Sequence, residues 1–304
     1  MFMADGFQLL LRATLSYLRE EKSKNRTFLR LEPASLEALA KLSSRGLSEP
    51  TPTHKPVVKQ KPFKKSPKPS GPANVEKNNI NPIFDKQPVG NKTAAIESLK
   101  DEVSQCQKCA HLVKSRTQTV FGVGNLNADL MFIGEAPGLD EDRQGQPFVG
   151  KAGQLLTKII QAMGLKREEV YIANILKCRP NTPGKSFGNR KPELDEMNRC
   201  KPYLFKQINI VRPKVIVALG ATALQGLFDK PNESITRTRG KWKNIEGIPI
   251  MPTYHPSYLL HKESDPAQSI AEKRKVWEDM LLVMEKLDFS ISEKQRRFFT
   301  KPGK

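Results

Sequence analysis

Cysteine is the residue type whose spacing most directly suggests chemistry in this chain. The four cysteines comprise a Cys-x2-Cys pair, Cys106 and Cys109, in which two thiolates can face one metal, and two later residues, Cys178 and Cys200. The pair alone is a weak signal because zinc sites, redox motifs and iron–sulfur clusters share it. We therefore predict one site formed by all the cysteines. The spacing leaves zinc, a [4Fe-4S] cluster and unliganded buried thiols open.

Residues 129–153 form a second stretch that could carry chemistry. An apolar run at 130–133 stops at Gly134, acidic residues, a proline and further glycines follow, and a helical apolar pattern begins near Gly153. This order predicts a buried strand, an irregular loop and a helix. Because open α/β sheets bind ligands in loops at the carboxyl ends of their strands, we expect the active site here.

The hydrophobic pattern predicts the scaffold that would position these loops. Apolar runs typical of strands alternate with helical patterns, which indicates an α/β fold with a parallel sheet covered by helices on both faces. The apolar runs are 130–133, 170–176, 215–219 and 248–251, and the helical patterns are 155–163, 193–208, 222–228 and 267–287.

Composition narrows the class of partner. Lys and Arg outnumber Asp and Glu by 51 to 32, the formal net charge is +19 and the isoelectric point is about 9.8. This excess favours a polyanion, with nucleic acid ahead of an anionic membrane surface, although a basic tail carries part of it. No apolar run approaches the roughly 18 residues of a membrane span, and the N-terminus lacks signal-peptide features. We expect a cytoplasmic, nucleoid-associated protein.

Composition also divides the chain into segments. Residues 1–48 predict a helical extension whose apolar faces need a partner, and residues 49–92, rich in proline and lysine, predict a disordered linker. The linker is either a solvated spacer or a loose DNA contact. Residues 93–289 carry the globular pattern, and residues 290–304 predict a basic flexible tail.

Several short motifs follow one another along the globular segment. Together they resemble the family 4 uracil-DNA glycosylases, the iron–sulfur type, over residues 94–287 and not beyond. The motifs are Cys-Gln-Lys-Cys at 106–109, Val-Phe-Gly-Val-Gly at 120–124, Gly-Glu-Ala-Pro-Gly at 134–138, Gly-Gln-Pro-Phe-Val-Gly at 145–150, Val-Tyr-Ile-Ala-Asn-Ile-Leu-Lys-Cys-Arg-Pro at 170–180, Leu-Gly-Ala-Thr at 219–222, Arg-Gly-Lys-Trp at 239–242 and His-Pro-Ser-Tyr-Leu-Leu at 255–260.

The resemblance implies a three-layer α/β/α sandwich around a four-stranded parallel sheet, and hydrolysis of the bond between uracil and deoxyribose in DNA. It makes Cys106, Cys109, Cys178 and Cys200 the ligands of a structural [4Fe-4S] cluster, with zinc less favoured. Uracil-containing DNA is the implied partner. We further expect a monomer with no membrane partner, and a contact between residues 1–48 and a replication or repair protein.

The same resemblance assigns residues to the uracil pocket. Phe148 matches the position that stacks on uracil, and the Asn174 amide can accept a hydrogen bond from N3–H and donate one to O4. His255 matches the residue that contacts O2, where negative charge gathers as the bond breaks. Ala136, in the Gly-Glu-Ala-Pro-Gly motif, completes the predicted substrate-binding set. An ordinary structural role is the alternative for each residue taken singly.

Glu135 and Glu141 occupy the acidic positions of the first motif. One of them would orient or activate the attacking water, and either could stabilise an oxocarbenium-like sugar electrostatically. Asp140 is a rival for these roles, and the sequence does not divide them. The predicted catalytic set is therefore Glu135, Glu141 and His255.

Further residues match DNA contacts. Leu259 and Leu260 suit an apolar wedge that fills the space left by a flipped base. Ser257, Lys151 and Arg239 are predicted to contact DNA, with plain surface charge as the alternative for the two cations.

One departure from the family pattern is an insert at 181–188. A related group that becomes covalently trapped on uracil-DNA carries an insert near this point that supplies a histidine. The present insert has no histidine, and Gly-Glu-Ala-Pro-Gly is the hydrolytic form of the first motif. We therefore prefer a hydrolase that turns over, with a trapped uracil-DNA binding protein as the alternative.

Overall fold

The structure is a computed structural model that describes residues 90–182 and 188–300. The predicted helical extension and nearly all of the predicted linker lie outside the described residues, as do residues 183–187 of the insert and 301–304 at the end. Within the described ranges, no helix combines the length and the apolar composition that crossing a bilayer requires.

Strands and helices alternate along most of the described chain. The strands are β1 (Val123–Gly124), β2 (Leu130–Gly134), β3 (Tyr171–Asn174), β4 (Val215–Leu219), β5 (Lys243–Ile245) and β6 (Ile248–Thr253). The helices are α1 (Lys92–Ser104), α2 (Ala110–Ser115), α3 (Leu139–Gln144), α4 (Lys151–Ala162), α5 (Leu194–Val211), α6 (Gly220–Phe228), α7 (Ile235–Thr238), α8 (Pro256–His261), α9 (Pro266–Lys286) and α10 (Glu293–Arg296), with a 3-10 turn at Arg167–Glu169.

The strands form a mixed, mostly parallel sheet in the order β1-β3-β2-β4-β6-β5. The four predicted strands are parallel neighbours, but the count of four is too low because the described residues form a sheet of six strands. β1 and β5 add antiparallel edges of two and three residues, which are too short to give an apolar run. β5 joins β6 through Glu246 and Gly247, whose φ angles of 47° and 93° suit a two-residue hairpin.

Alternating side chains of the central strands supply two hydrophobic clusters. Met131 and Ile133 pack with residues of α5 and α6, whereas Leu130 and Phe132 pack with residues of α4 and α9. Every residue of β2 and β4 is buried, as expected for parallel strands that are covered on both faces. The alternation of these apolar residues therefore places α5 and α6 on one face of the sheet and α4 and α9 on the other.

The C-terminal segment packs on the preceding helix. The Trp277 indole of α9 donates to the Gln295 carbonyl at 2.6 Å, and the Gln295 amide donates to the Ala162 carbonyl at 2.9 Å. The segment for which the sequence predicts a flexible basic tail thus includes α10. Its contacts lie with the cluster formed by α4 and α9, where Phe298 packs against Trp277.

The start of α4 approaches the preceding loop so closely that it requires glycine. A Cβ atom on Gly153 would overlap the main-chain carbonyl of Phe148 and lie 2.6 Å from its Cα. Alanine has the higher helix propensity, by about 1 kcal/mol, so the glycine is explained by this contact and not by the helix.

We expect Gly153→Ala to lower the free energy of unfolding by about 1 to 3 kcal/mol, because overpacking outweighs the gain in helix propensity. Urea denaturation monitored by circular dichroism measures the change. Gln154→Ala, at the exposed neighbouring position of α4, is the matched control and should leave stability nearly unchanged. Equal stability of Gly153→Ala and the control would contradict the proposed close approach.

Candidate active site

A cavity of about 560 Å³ opens at the carboxyl ends of the parallel strands. Loops after β2, β4 and β6, the last residue of β3 and the start of α4 contribute to its walls. Seven of the residues singled out in the sequence line it: Glu135, Ala136, Glu141, Phe148, Asn174, His255 and Ser257. The structure therefore brings together, in one cavity, residues that are more than 100 positions apart in the chain.

Asn174 is the last residue of β3 and is 2% exposed. Neither the oxygen nor the nitrogen of its amide has a hydrogen-bond partner among the described residues. Buried polar groups are nearly always paired, so this orphaned amide indicates a position that a bound molecule completes. Gly134 lies opposite Asn174 in the β2–β3 register, and a Cβ there would be 2.5 Å from the Asn174 side-chain oxygen.

Phe148 forms an aromatic wall of the cavity. Its ring centroid lies 5.6 Å from that of His255, and the two planes are tilted by 35°. The residue has a φ of 55°, an unfavourable conformation for a bulky side chain that persists only when the surroundings impose it. The contact between its main chain and Gly153 is one such constraint.

The loop that carries Phe148 is held by Glu141. One carboxylate oxygen of Glu141 accepts hydrogen bonds from the main-chain N–H groups of Val149 at 3.0 Å and Gly150 at 2.9 Å. The other oxygen accepts from Gly138 N–H at 3.0 Å. The carboxylate thus joins the start of α3 to the loop after Phe148, and most of its acceptor capacity is used in doing so.

Glu135 differs from Glu141 in its surroundings. Burial raises the pKa of Glu135, while a hydrogen bond with Thr222 and the positive charge of Lys191 partly oppose the rise. The raised pKa increases the affinity of the Glu135 carboxylate for a proton. Asp140, the rival in the sequence, is exposed.

His255 caps the N-terminus of α8, immediately after β6. Its Nδ1 accepts from the Ser257 main-chain N–H at 3.2 Å and lies 2.7 Å from the Ser257 hydroxyl. Burial lowers the pKa of the ring to about 4 because an imidazolium ion would lose its hydration there. At neutral pH the ring is uncharged, and the acceptor role of Nδ1 assigns the proton to Nε2.

The residues predicted to contact DNA differ in exposure and location in the structure. Lys151 is exposed at the start of α4, and Ser257 lines the cavity. Leu260 is partly exposed, whereas Leu259 is 2% exposed and packs with Tyr254 and Val276.

Arg239 points away from the cavity toward α9. Its guanidinium forms an ion pair with Asp279 at 2.6 Å and also donates to the Lys275 carbonyl. Thr253 donates to the same Asp279 carboxylate at 2.6 Å. Burial nevertheless raises the pKa of Asp279 to about 6. Arg239 therefore helps to attach α9 to the end of β6.

Sequence reasoning missed several residues of the cavity wall, among them Thr222, Asn189 and His261. Thr222 stands in the Leu-Gly-Ala-Thr motif directly after β4, so the strand-end rule could have found it. Asn189 follows the insert, and its amide donates to the Pro137 carbonyl at 2.8 Å. No local pattern in the sequence predicts that contact.

The four cysteines lie in one neighbourhood, where they pack with Leu99, Leu112, Phe121 and Tyr203, and none forms a disulfide. The Arg116 guanidinium lies 3.1 Å from the Cys178 sulfur, and the Lys177 main-chain N–H lies 3.2 Å from the Cys200 sulfur. Burial, followed by the charges of neighbouring thiols among other groups, raises the pKa of Cys109. The pKa of Cys200 is likewise raised by burial, to about 12.

This donor set fits a cofactor bound entirely by sulfur, because four thiols without disulfides lie in one cluster and N–H donors face two of them. Within the described ranges, no three His, Cys, Asp or Glu side chains form a group that could hold a single metal ion.

Comparisons with known proteins agree with this geometry. The family model of the uracil DNA glycosylase superfamily matches residues 121–281. A type-4 uracil-DNA glycosylase of Sulfurisphaera tokodaii is 47% identical over 175 residues, which cover 55% of this chain and 76% of the relative. Those of Thermotoga maritima and Saccharolobus solfataricus are 44% and 47% identical over 179 and 193 residues, covering 58% and 60% of this chain and 88% and 85% of the relatives.

Identity at this level extends over most of the length of these relatives, and the range matched by the family model spans the residues that line the cavity. The chain therefore belongs to the uracil-DNA glycosylase superfamily, and within it to the type-4 family.

Proposed function

We propose that this chain is a uracil-DNA glycosylase of base-excision repair, which hydrolyses the bond between uracil N1 and deoxyribose C1′ and leaves an abasic site. The observation that carries the proposal is the orphaned Asn174 amide, buried in a cavity whose walls include Phe148 and His255. Membership of the type-4 family supports it, as does the formal net charge of +19, which suits a polyanionic substrate.

The cavity reads a base that has left the duplex, because the target bond is inaccessible within stacked DNA. Uracil presents N3–H as a donor and O4 as an acceptor, and the Asn174 amide complements both. Cytosine presents an unprotonated N3 and an amino group, so in this orientation two polar groups of the site would be left unpaired. Such unpaired buried groups cost about 1 to 3 kcal/mol each, which rejects cytosine. Phe148 stacks on the base.

His255 stabilises the leaving group. As the N1–C1′ bond breaks, its electron pair moves onto uracil and negative charge accumulates on O2. The neutral ring, held through Nδ1 by Ser257, donates its Nε2–H to that oxygen. Because the donor is already oriented, its hydrogen bond to O2 strengthens as the charge develops, and no solvent has to reorganise.

Water completes the hydrolysis. The sugar develops positive charge as uracil departs, and water adds to C1′ while giving up a proton. Glu135 is the group we assign to orient this water and to accept its proton, since burial raises its pKa. Glu141 acts on the reaction through the loop it holds, so it is a positioning residue for Phe148.

Contacts with the rest of the DNA involve fewer of the predicted residues. We propose that Lys151 contacts a phosphate and that partly exposed Leu260, on α8 beside the cavity, fills the space of the flipped base. Leu259 supports α8 from the core, and Arg239 supports α9.

We propose that Cys106, Cys109, Cys178 and Cys200 hold a [4Fe-4S] cluster, with zinc as the alternative. When bound, the cluster would supply covalent cross-links among segments that are distant in the chain, and hydrolysis itself has no redox step. We also propose that the helices on the two faces of the sheet make the three-layer α/β/α arrangement.

Turnover on a single-uracil oligonucleotide tests the function. We expect several abasic sites per protein molecule, revealed as strand breaks after alkali, and no product from the matching cytosine oligonucleotide. A stable protein–DNA adduct with one event per molecule would instead identify a trapped uracil-DNA binding protein.

The Asn174→Leu variant tests uracil recognition separately from folding. We expect uracil excision to fall at least about 100-fold, because the hydrogen bonds to N3–H and O4 are lost, while the free energy of unfolding is unchanged or higher, since an unpaired buried amide is removed. Asn127→Leu, an exposed asparagine distant from the cavity lining, is the control for both measurements. Full activity of Asn174→Leu would refute the proposed recognition of uracil by Asn174.

Replacement of His255 by alanine should lower kcat by about 100- to 1,000-fold, the usual cost of losing one such donor. In the wild type, the ring pKa of about 4 means that the neutral form persists from pH 8 down to about pH 5. Single-turnover rates should therefore show no titration step near the ordinary histidine pKa of about 6.5. A step there that disappears in the variant would contradict a neutral donor.

Purification without oxygen tests the cofactor. We expect a brown protein whose iron and acid-labile sulfide are lost in Cys200→Ala, together with part of the thermal stability, because the cross-link is removed. A colourless wild-type protein containing stoichiometric zinc would decide for the alternative.

A further inference from the structure

Lys177 occupies a special place between the two sites described above. It follows β3 three residues after Asn174 and directly precedes Cys178. Its side chain is 1% exposed, which is rare for lysine outside functional sites. The short stretch of backbone from Asn174 to Cys178 therefore connects the side-chain amide that we propose recognises uracil to a thiol of the cysteine site.

The Lys177 ammonium is held by neutral oxygens. Its Nζ donates to the main-chain carbonyl of Asn174 at 2.9 Å and to the side-chain carbonyl of Gln207 at 2.5 Å. Gln207 is itself fixed, because its amide nitrogen donates to the Phe121 carbonyl at 2.9 Å and the Tyr171 hydroxyl at 3.1 Å. This network thus holds the main chain of Asn174, whose side chain lines the cavity.

The main chain of Lys177 contacts the cysteine site. Its N–H donates to the Cys200 sulfur at 3.2 Å, and the next residue is Cys178. In the described part of the chain no carboxylate forms an ion pair with the ammonium, and burial lowers the pKa of Lys177 to about 8, a fall that the electrostatic interaction with Cys200 partly opposes. The carbonyl oxygens of Asn174 and Gln207 therefore hold the ammonium, and the main chain links it to the thiols.

We propose that Lys177 is a positioning residue that couples the cysteine site to uracil recognition, with its main-chain N–H bonded to the Cys200 sulfur and its ammonium bonded to the Asn174 main chain. This inference rests on the proposed function. A filled cysteine site keeps the Lys177 main chain in place, and the ammonium keeps the end of β3 in the position from which Asn174 meets the base.

Lys177→Met tests the coupling, since methionine is unbranched, fills a similar space and removes only the charge and the donors. Lys114→Met removes an exposed lysine of α2, the helix that follows Cys109, and serves as the matched control. Three quantities are measured on anaerobically purified protein: the rate at which a chelator removes iron, kcat and KM on the uracil oligonucleotide, and the free energy of unfolding.

We expect Lys177→Met to fold with stability close to the wild type. It should lose iron at least about tenfold faster, and its kcat should fall by about 10- to 100-fold. This is the usual effect of removing a residue that orients a ligand or a substrate-binding side chain. KM should change little. Lys114→Met should match the wild type in all three quantities.

A folded Lys177→Met protein in which either the rate of iron loss or kcat is unchanged would overturn the coupling. A residue that couples two sites must affect both quantities when it is replaced. Reduced stability with normal kcat and normal iron retention would assign Lys177 a purely structural role. If the wild type releases no uracil, the proposed function fails while the iron measurement still tests the contact between Lys177 and the thiolates.

Hydrogen exchange on the wild type provides a second test in case Lys177→Met does not fold. Removing iron with a chelator should accelerate amide exchange in residues 174–178, which connect the two sites, and leave β6 unchanged. Equal exchange of residues 174–178 with and without iron would overturn the proposal.

Discussion

The active site depends on one register in the parallel sheet, which places Gly134 of β2 opposite Asn174 of β3. Because glycine has no side chain, the Asn174 amide and the Phe148 ring can both occupy the space above the strand ends. A shift of one residue would turn Asn174 to the other face of the sheet and bring Ile133 to the point where Gly134 is required. Correct pairing of two buried strands is thus a condition for the pocket.

Burial determines the chemistry of the groups around this pocket. It keeps the His255 ring neutral at neutral pH and raises the pKa of Glu135. Main-chain N–H groups occupy the oxygens of Glu141. Carboxylates that are close in sequence therefore have different surroundings.

A short stretch of main chain connects the cysteine site to the pocket. α1, α2 and α5 meet around the thiols, and the stretch from Asn174 to Cys178 runs from the pocket into that neighbourhood. Hydrolysis needs no electron transfer, so a sulfur-bound cofactor would be retained for the shape it imposes. Lys177 suggests how that shape could reach the Asn174 amide, because its main-chain N–H contacts a thiol and its ammonium contacts the Asn174 carbonyl.

The sequence by itself determined the α/β class of the fold and the parallel direction of the four central strands, because apolar runs and strand-end glycines are local features. The resemblance carried by its ordered motifs added seven of the residues that line the cavity. The sequence could not determine the short edge strands β1 and β5, which have too few residues to form a pattern. Only the tertiary structure decided that Arg239 pairs with Asp279 and that Glu141 holds a loop. Those outcomes depend on which groups meet in space, and a carboxylate or a guanidinium has the same local sequence signal whether its partner is a phosphate, a water molecule or another part of the chain.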